Sequence, residues 1–154
     1  MSARNVESPV GTLGLRVEGG FLMEIAFGGL PEEGGDDPLL DRAQRQLAEY
    51  FAGTREEFDL PLNPNGTPFQ KKVWDALRQI PYGETRSYGD IARAVGSPKG
   101  FRAVGMANHV NPIPVVIPCH RVVGSKGALI GYAGGLNVKR ALLELEKASL
   151  SKKT

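Results

Sequence analysis

The sequence is poor in cysteine and histidine. Its 154 residues contain one cysteine, Cys119, and two histidines, His109 and His120. A single cysteine excludes an internal disulfide framework, and so few soft ligands exclude a cysteine-rich zinc site. We therefore expect no metal. A lone cysteine in an intracellular protein is either an inert core residue or a nucleophile, and the function of the chain depends on which of the two Cys119 is.

Long apolar runs are also absent. No stretch approaches the roughly 18–20 apolar residues that cross a bilayer. The first seven residues lack the apolar centre of a signal peptide. We therefore expect no membrane partner and a cytoplasmic location. With 41% hydrophobic and 23% charged residues, the composition is that of a folded globular protein.

The charged side chains are divided unevenly along the chain. Residues 1–65 carry 5 basic and 12 acidic side chains, whereas residues 66–154 carry 14 basic and 5 acidic ones. A basic half favours a polyanionic partner such as a nucleic acid. Two solvated surfaces of opposite sign that attract each other would explain the same pattern.

The apolar pattern predicts an α+β protein of two lobes. The N-terminal α/β lobe, residues 1–62, has a small antiparallel sheet and a helix. Its predicted elements are a β-hairpin over residues 8–30 that turns at Gly19-Gly20, a helix from Asp37-Pro38 to Gly53, and an optional strand over residues 58–62. The C-terminal domain, residues 63–154, is mostly helical, and residues 61–66 are the best linker candidate.

Helical periodicity dominates the C-terminal domain. Helices are predicted from Thr67-Pro68 to about Ile80, from Ser87 to about Val95, from Ser97-Pro98 to Asn108, and from Asn137 to Leu150. The second and third, joined by a tight turn, predict a helix-turn-helix. The prolines of residues 111–123 bar a regular helix and a central strand, so this segment is predicted to be extended and buried.

Cys119 needs a nearby base or positive field if it is to react as a thiolate. His120 and Arg121 are candidates, but neighbours in an extended chain point to opposite faces, so a bridging water could relay the proton. Glu144 or Glu146 of the last helix could orient the imidazole. Taken alone, a Cys-His dipeptide is weak evidence, because free cysteines are among the most buried residues.

A set of longer strings changes this estimate. They are Tyr82-Gly83-Glu84-Thr85, Ser87-Tyr88, Arg102-Ala103-Val104-Gly105-Met106-Ala107, Asn111-Pro112, Ile117-Pro118-Cys119-His120-Arg121-Val122, Gly131-Tyr132, Gly134-Gly135-Leu136 and Leu142-Leu143-Glu144-Leu145-Glu146. Over residues 66–147 the chain resembles the O6-alkylguanine-DNA alkyltransferases, which are suicide DNA-repair proteins. Residues 1–62 resemble the family's variable N-terminal lobe only loosely.

The resemblance implies a function and a partner. It implies a DNA-repair protein that flips O6-alkylguanine out of duplex DNA and transfers the alkyl group irreversibly and stoichiometrically to its own Cys119. Such a protein is a methylated-DNA–protein-cysteine S-methyltransferase that acts once. The implied partner is double-stranded DNA containing O6-alkylguanine, approached from the minor groove. The implied protein is a monomer and needs no cofactor.

The resemblance also implies roles for individual residues. Cys119 attacks the alkyl carbon, His120 takes the thiol proton through a water, and Glu146 holds the imidazole. Tyr88 donates a proton to the base and helps to turn the phosphate, while Asn111 ties the helix-turn-helix to the active-site loop. The implied DNA-binding residues are Arg102 as the finger that fills the stack, with Tyr88, Ala103, Gly105, Met106, Ser87 and Lys99. The implied pocket residues are Pro114, Val122, Ile130, Tyr132, Ala133 and Gly134.

The chain departs from the family pattern at two places. Some members hold a zinc ion in the N-terminal lobe through cysteines and histidines, and here none precedes His109. Many members carry a serine after the pocket tyrosine, where this chain has Ala133. Only the backbone N–H of Ala133 could serve in its place, so we expect modestly weaker leaving-group stabilisation.

Other functions remain open at this point. The chain could be an alkyltransferase-like protein that binds the lesion without repairing it, although such proteins lack the cysteine. It could be a helix-turn-helix regulator with a structural Cys119, or a cysteine hydrolase with a Cys-His-Glu triad. The individual residues also have structural explanations. Tyr88 could be a half-buried helix aromatic, and Glu146 could pair with Lys139 or Arg140 on a solvated face.

Overall fold

The computed structural model describes residues 1–129, 131–132 and 134–152. The chain divides into two compact units, residues 1–65 and 66–154, within the linker predicted at residues 61–66. The predicted α+β architecture is confirmed, with an N-terminal antiparallel sheet and a mostly helical second unit. In the part of the chain that the structure describes, no helix has both the length and the apolar character to cross a bilayer.

The first unit is a three-stranded antiparallel sheet with one helix. Its elements are β1 (Ser2–Ser8), β2 (Gly11–Glu18), β3 (Phe21–Phe27) and α1 (Pro38–Phe51), and the strand order is β1-β2-β3. The predicted hairpin corresponds to β2 and β3, joined at Gly19-Gly20, where both residues have positive φ. The sequence pattern missed β1, because only Ala3 and Val6 of its seven residues are buried apolar side chains.

Helix α1 covers one face of this sheet. It begins where predicted, since the Asp37 side chain accepts a hydrogen bond from the Leu39 N–H at 2.8 Å and Pro38 occupies the first turn. Its buried face packs against all three strands. The shared core consists of Leu13, Leu15, Val17, Leu22, Ile25, Leu40, Leu47 and Tyr50.

The optional strand at residues 58–62 is not formed. Leu62 makes only an isolated bridge with Leu22. Both backbone polar groups of Asp59 bond instead to the buried Gln46 amide: the Gln46 Nε2 donates to the Asp59 carbonyl at 3.1 Å, and the Asp59 N–H donates to Gln46 Oε1 at 2.9 Å. A side chain of α1 therefore satisfies the groups that a strand partner would have satisfied.

Over the residues that the structure describes, the second unit has four α-helices and a short parallel ladder. Its elements are α2 (Pro68–Leu77), β4 (Arg86–Ser87), α3 (Tyr88–Ala94), α4 (Phe101–His109), β5 (Val122–Val123) and α5 (Leu136–Ser151). Capping boxes begin α2 at Thr67 with Gln70 and α3 at Ser87 with Asp90. The indole N–H of buried Trp74 donates to the Ala107 carbonyl at 2.8 Å, which joins α2 to α4.

The predicted start of the second helix of the helix-turn-helix is wrong. Helix α4 begins at Phe101, not at Ser97-Pro98. The Gly100 N–H donates to the Ser97 carbonyl at 2.8 Å, which closes a turn over residues 97–100. Proline suits the second position of such a turn as well as it suits a helix start. Lys99 therefore lies in the turn between α3 and α4.

Candidate active site

Cys119 opens a single turn of 3-10 helix, Cys119–Arg121, within the segment predicted to be extended. The extended prediction is wrong at these three residues, because the Arg121 N–H donates back to the Pro118 carbonyl at 3.0 Å and closes the turn. The chain then enters β5, which pairs in parallel with β4. This pairing, which the sequence analysis missed, places Tyr88 at the start of α3 near Cys119.

The Cys119 thiol is buried, with 3% of the residue exposed. Burial raises the pKa of Cys119, and this effect outweighs the hydrogen bonds from Asn111 and Tyr132 and the positive charge of Lys139, which lower it. The resting side chain is therefore a neutral thiol. It must lose a proton to a neighbouring base before it can act as a nucleophile.

A buried ionic network surrounds the adjacent His120. The His120 Nε2 lies 2.6 Å from Glu146 Oε2. The Arg121 guanidinium donates to the same carboxylate twice, from Nε to Oε1 at 2.9 Å and from Nη2 to Oε2 at 3.0 Å. The Gly83 N–H also donates to Oε1, at 3.0 Å. Glu146 is 1% exposed, so the alternative in which it lies on a solvated face with Lys139 or Arg140 is wrong.

The network fixes the protonation state of the imidazole. Burial raises the pKa of Glu146, but the hydrogen bonds and charges of His120 and Arg121 outweigh it and lower the pKa to about 2. Burial lowers the pKa of His120, and this effect is larger than that of the hydrogen bond and negative charge of Glu146, which raise it. A neutral imidazole beside a carboxylate carries its proton on the nitrogen that faces the carboxylate, which in His120 is Nε2. The buried Nδ1, for which the described residues offer no hydrogen-bond partner, is therefore left as a proton acceptor.

We expect this network to make the fold sensitive to acid. Because the pKa of Glu146 is lowered in the folded state, its ionised carboxylate stabilises the fold fully at pH values above its ordinary pKa of 4.5. This stabilisation is lost as the pH falls towards 2. The lowered pKa of His120 acts in the same direction below its ordinary value of 6.5, because only the unfolded chain then binds the proton. Urea denaturation at a series of pH values from 7 to 3 measures the effect. A free energy of unfolding that stays constant over this range would contradict it.

Lys139 is a second buried cation that the sequence analysis did not place at the site. Lys139 is 0% exposed. Its Nζ donates to the Gly131 carbonyl at 3.3 Å and lies 6.0 Å from the centroid of the Tyr88 ring. Burial lowers the pKa of Lys139, and the interaction with Cys119 raises it. The charge of Lys139 thus favours the thiolate form of Cys119. The sequence gives no signal for this role, since Lys139 lies in α5 and is separated from Cys119 by β5 and the loop that follows it.

Asn111 joins the end of α4 to the loop that carries Cys119. Its Nδ2 donates to the Ile117 carbonyl at 2.9 Å, and its Oδ1 accepts from the Ile113 N–H at 3.0 Å. Between them, buried Val115 has a φ of 74°, a conformation that is costly for a β-branched residue. The Asn111 amide therefore closes a strained turn shortly before Cys119.

A cavity of about 350 Å³ lies between α4 and the loop before α5. It is lined by Tyr88, Phe101, Gly105, Asn108, His109, Gly131 and Tyr132. Tyr132, which also forms a hydrogen bond with Cys119, was predicted as a pocket residue. Phe101, Asn108 and His109 were not predicted to line the pocket. Of the other predicted pocket residues, Pro114 and Val122 are buried, Gly134 is half-buried, and Ile130 and Ala133 lie outside the described residues.

Tyr88 is half-buried at the first position of α3. Burial raises the pKa of Tyr88, and so does the negative charge that Cys119 carries once it is deprotonated, whereas a hydrogen bond with Asn108 lowers it by less. The phenol is thus protonated at neutral pH and can donate a proton into the cavity that it lines. The Ser87 hydroxyl accepts from the Asp90 N–H at 3.0 Å as the cap of α3.

Helix α4 presents an exposed face that includes two small residues, Ala103 and Gly105. Arg102 and Ala103 are exposed, Gly105 is half-buried and Met106 is 61% exposed. Lys99 is exposed in the preceding turn. In the described part of the chain no three His, Cys, Asp or Glu side chains are grouped so that they could hold a metal ion.

This arrangement defines a class of protein: a helix-turn-helix unit that carries a buried cysteine beside a histidine–carboxylate network. Residues 68–148 match the family model of the 6-O-methylguanine DNA methyltransferase DNA binding domain. Residues 3–64 match that of the 6-O-methylguanine DNA methyltransferase ribonuclease-like domain. The chain belongs to the 6-O-methylguanine DNA methyltransferase family, which confirms the resemblance found in the sequence.

Individual relatives agree with this assignment. The constitutive methylated-DNA–protein-cysteine methyltransferase of Bacillus subtilis is 57% identical over 119 residues, which cover 77% of this chain and 72% of the relative. The methylated-DNA–protein-cysteine methyltransferase of Mycobacterium tuberculosis is 50% identical over 151 residues, 94% of this chain and 92% of the relative. The crystal structure of Mycobacterium tuberculosis OGT in complex with DNA has a TM-score of 0.89 at 47% identity and covers 97% of this chain and 94% of that one.

Proposed function

We propose that this chain repairs DNA by transferring the alkyl group of O6-alkylguanine to its own Cys119. The observation that carries the proposal is the buried Cys119–His120–Glu146 arrangement beside a cavity lined by Tyr88 and Tyr132. Family membership and the methyltransferase names of relatives that match most of the chain support the same activity.

The chemistry is a single displacement at the alkyl carbon. His120 Nδ1 accepts the thiol proton, directly or through a water, while Glu146 holds the opposite ring nitrogen and Lys139 stabilises the thiolate. The Cys119 sulfur then forms a bond to the alkyl carbon as the bond from that carbon to guanine O6 breaks. Tyr88 donates a proton to the departing base, which leaves as neutral guanine. The thioether has no easy route to hydrolysis, so each molecule acts once.

The proposed partner is double-stranded DNA that contains O6-alkylguanine. The lesion must leave the stack, because its O6 atom is out of reach within the duplex. Arg102 fills the gap, and the small residues Ala103 and Gly105 allow α4 to approach the narrow minor groove together with Met106. Ser87 and Lys99 are proposed to lie along the DNA backbone, where contacts position the protein without reading sequence.

The proposal also covers the roles of the two lobes, the oligomeric state of the protein and its location. Residues 63–154 carry the DNA surface and the active site, and residues 1–62 form the accompanying α/β lobe. The protein is proposed to act as a monomer, because one chain holds all of the proposed reacting groups. The proposed location is the cytoplasm, where a single reactive thiol stays reduced.

The decisive experiment measures the intact mass of the protein after mixing with duplex DNA bearing one O6-methylguanine. We expect one added methyl group per chain, mapped to Cys119, and none in the Cys119→Ser variant. An unmodified protein that still binds the lesion would point to a lesion-sensing protein. An unmodified protein that releases product repeatedly from an ester or amide would point to a cysteine hydrolase. Either result would overturn the proposal.

A further inference from the structure

Phe101 is an apolar side chain that the protein leaves uncovered. It is the first residue of α4 and is 54% exposed, although phenylalanine is usually among the most buried residues. The next residue, Arg102, is the proposed finger. An exposed aromatic ring is therefore attached beside the side chain that is proposed to enter the duplex.

The periodicity of α4 places Phe101 at the mouth of the cavity. Phe101, Gly105 and His109 are four residues apart along the helix, so they lie on one face, and all three line the cavity. Gly105 leaves open space beside the ring, since a Cβ built on it would meet nothing within 4 Å. Tyr132, another lining residue, is only 9% exposed. Tyr132 therefore belongs to the inner wall, and Phe101 to the rim.

We propose that Phe101 is an apolar wedge that acts on duplex DNA together with Arg102. Its ring packs into the minor groove at the base step from which the alkylated guanine leaves, and so stabilises the extruded state. Phenylalanine is one of the side chains that unstack base steps from the minor groove. The inference rests on the proposed function, because that function supplies the duplex and the flipped base.

The test compares a substrate that must be extruded from a duplex with one that needs no extrusion. One is a duplex bearing O6-methylguanine, and the other is the free base O6-benzylguanine. Because stacking on an aromatic side chain contributes strongly to base binding, Phe101→Ala should slow transfer from the duplex by about 5- to 100-fold. The loss on the free base should be at least about fivefold smaller, since no step has to be unstacked. Phe101→Leu, which keeps an apolar wedge, should recover most of the duplex rate.

A second readout follows extrusion without chemistry. In a Cys119→Ser background, 2-aminopurine placed next to the lesion should brighten on binding, and Phe101→Ala should reduce this signal. Phe21→Ala is the matched control, because Phe21 is 41% exposed and lies outside the matched DNA binding domain. It should change neither rate nor fluorescence.

The outcomes separate the wedge from the proposed function. Equal losses on the duplex and the free base would overturn the wedge and make Phe101 a wall of the cavity. An unchanged duplex rate would overturn it as well, while transfer by the unsubstituted protein would leave the proposed function intact. No transfer by the unsubstituted protein would overturn the proposed function, and the wedge with it.

Discussion

Replacing Glu146 with glutamine is expected to lower the free energy of unfolding by about 3–5 kcal/mol, the usual effect of removing one partner of a buried ion pair. The substitution leaves Arg121, which is 6% exposed, as a buried cation without its carboxylate. It also leaves only an amide opposite His120 Nε2, where the ionised carboxylate now lies at 2.6 Å. Urea denaturation at neutral pH measures the loss.

The same substitution is expected to reduce alkyl transfer by at least about 100-fold, within the range that general-base catalysis contributes. In the proposed mechanism, the negative charge of Glu146 stabilises the imidazolium that forms when His120 takes the thiol proton, and glutamine cannot do so. Single-turnover transfer from duplex DNA, measured below the unfolding midpoint, isolates this effect from the loss of stability.

The matched control is Glu144→Gln on the same helix. Glu144 is exposed, so its substitution should change stability by no more than about 0.5 kcal/mol and leave transfer unaffected. If Glu146→Gln and Glu144→Gln behaved alike, the buried network would have no role in either stability or catalysis.

Replacing Asn111 with alanine is the second large effect, with an expected loss of about 2–4 kcal/mol in the free energy of unfolding. The Ile117 carbonyl and the Ile113 N–H would both lose their buried partner. The strained turn at Val115, whose conformation costs about 1–3 kcal/mol, would then be free to relax.

Transfer should slow in the Asn111→Ala variant as well. The turn leads directly into Cys119, and the hydrogen bond from Asn111 that lowers the pKa of the thiol would be lost. A titration of Cys119 alkylation by iodoacetamide should therefore shift to higher pH. Asn137→Ala, at an exposed position of α5, is the control and should show neither effect. Normal thiol reactivity in Asn111→Ala would show that the turn does not position Cys119.

The helices were largely predictable because their signals are local. Asp37, Thr67 and Ser87 cap the helices that follow them, and each cap bonds to a residue two or three positions along the chain. Signals of this kind need no knowledge of the rest of the fold. They failed at Ser97-Pro98, because a proline after serine is compatible with both a turn and a helix start.

The site was only partly predictable from the residues alone. As the nearest acids downstream of Cys119, Glu144 and Glu146 were equally eligible, and the family resemblance selected Glu146, which the structure places against His120. Arg121 was considered as a partner of the thiol, whereas it bonds to Glu146. Which of several nearby charges meet is decided by packing between segments far apart in sequence.

The sequence by itself determined the helix boundaries set by caps, the hairpin set by its glycine turn, and the family, because each depends on residues close together or on a specific string. The tertiary structure alone decided that Lys139 and Arg121 are buried beside Cys119 and Glu146, and that β4 pairs with β5. These contacts join residues about 20 to 40 positions apart, so they form only once the segments are packed together. For the buried charges, the outcome also depends on the balance between desolvation and charge pairing.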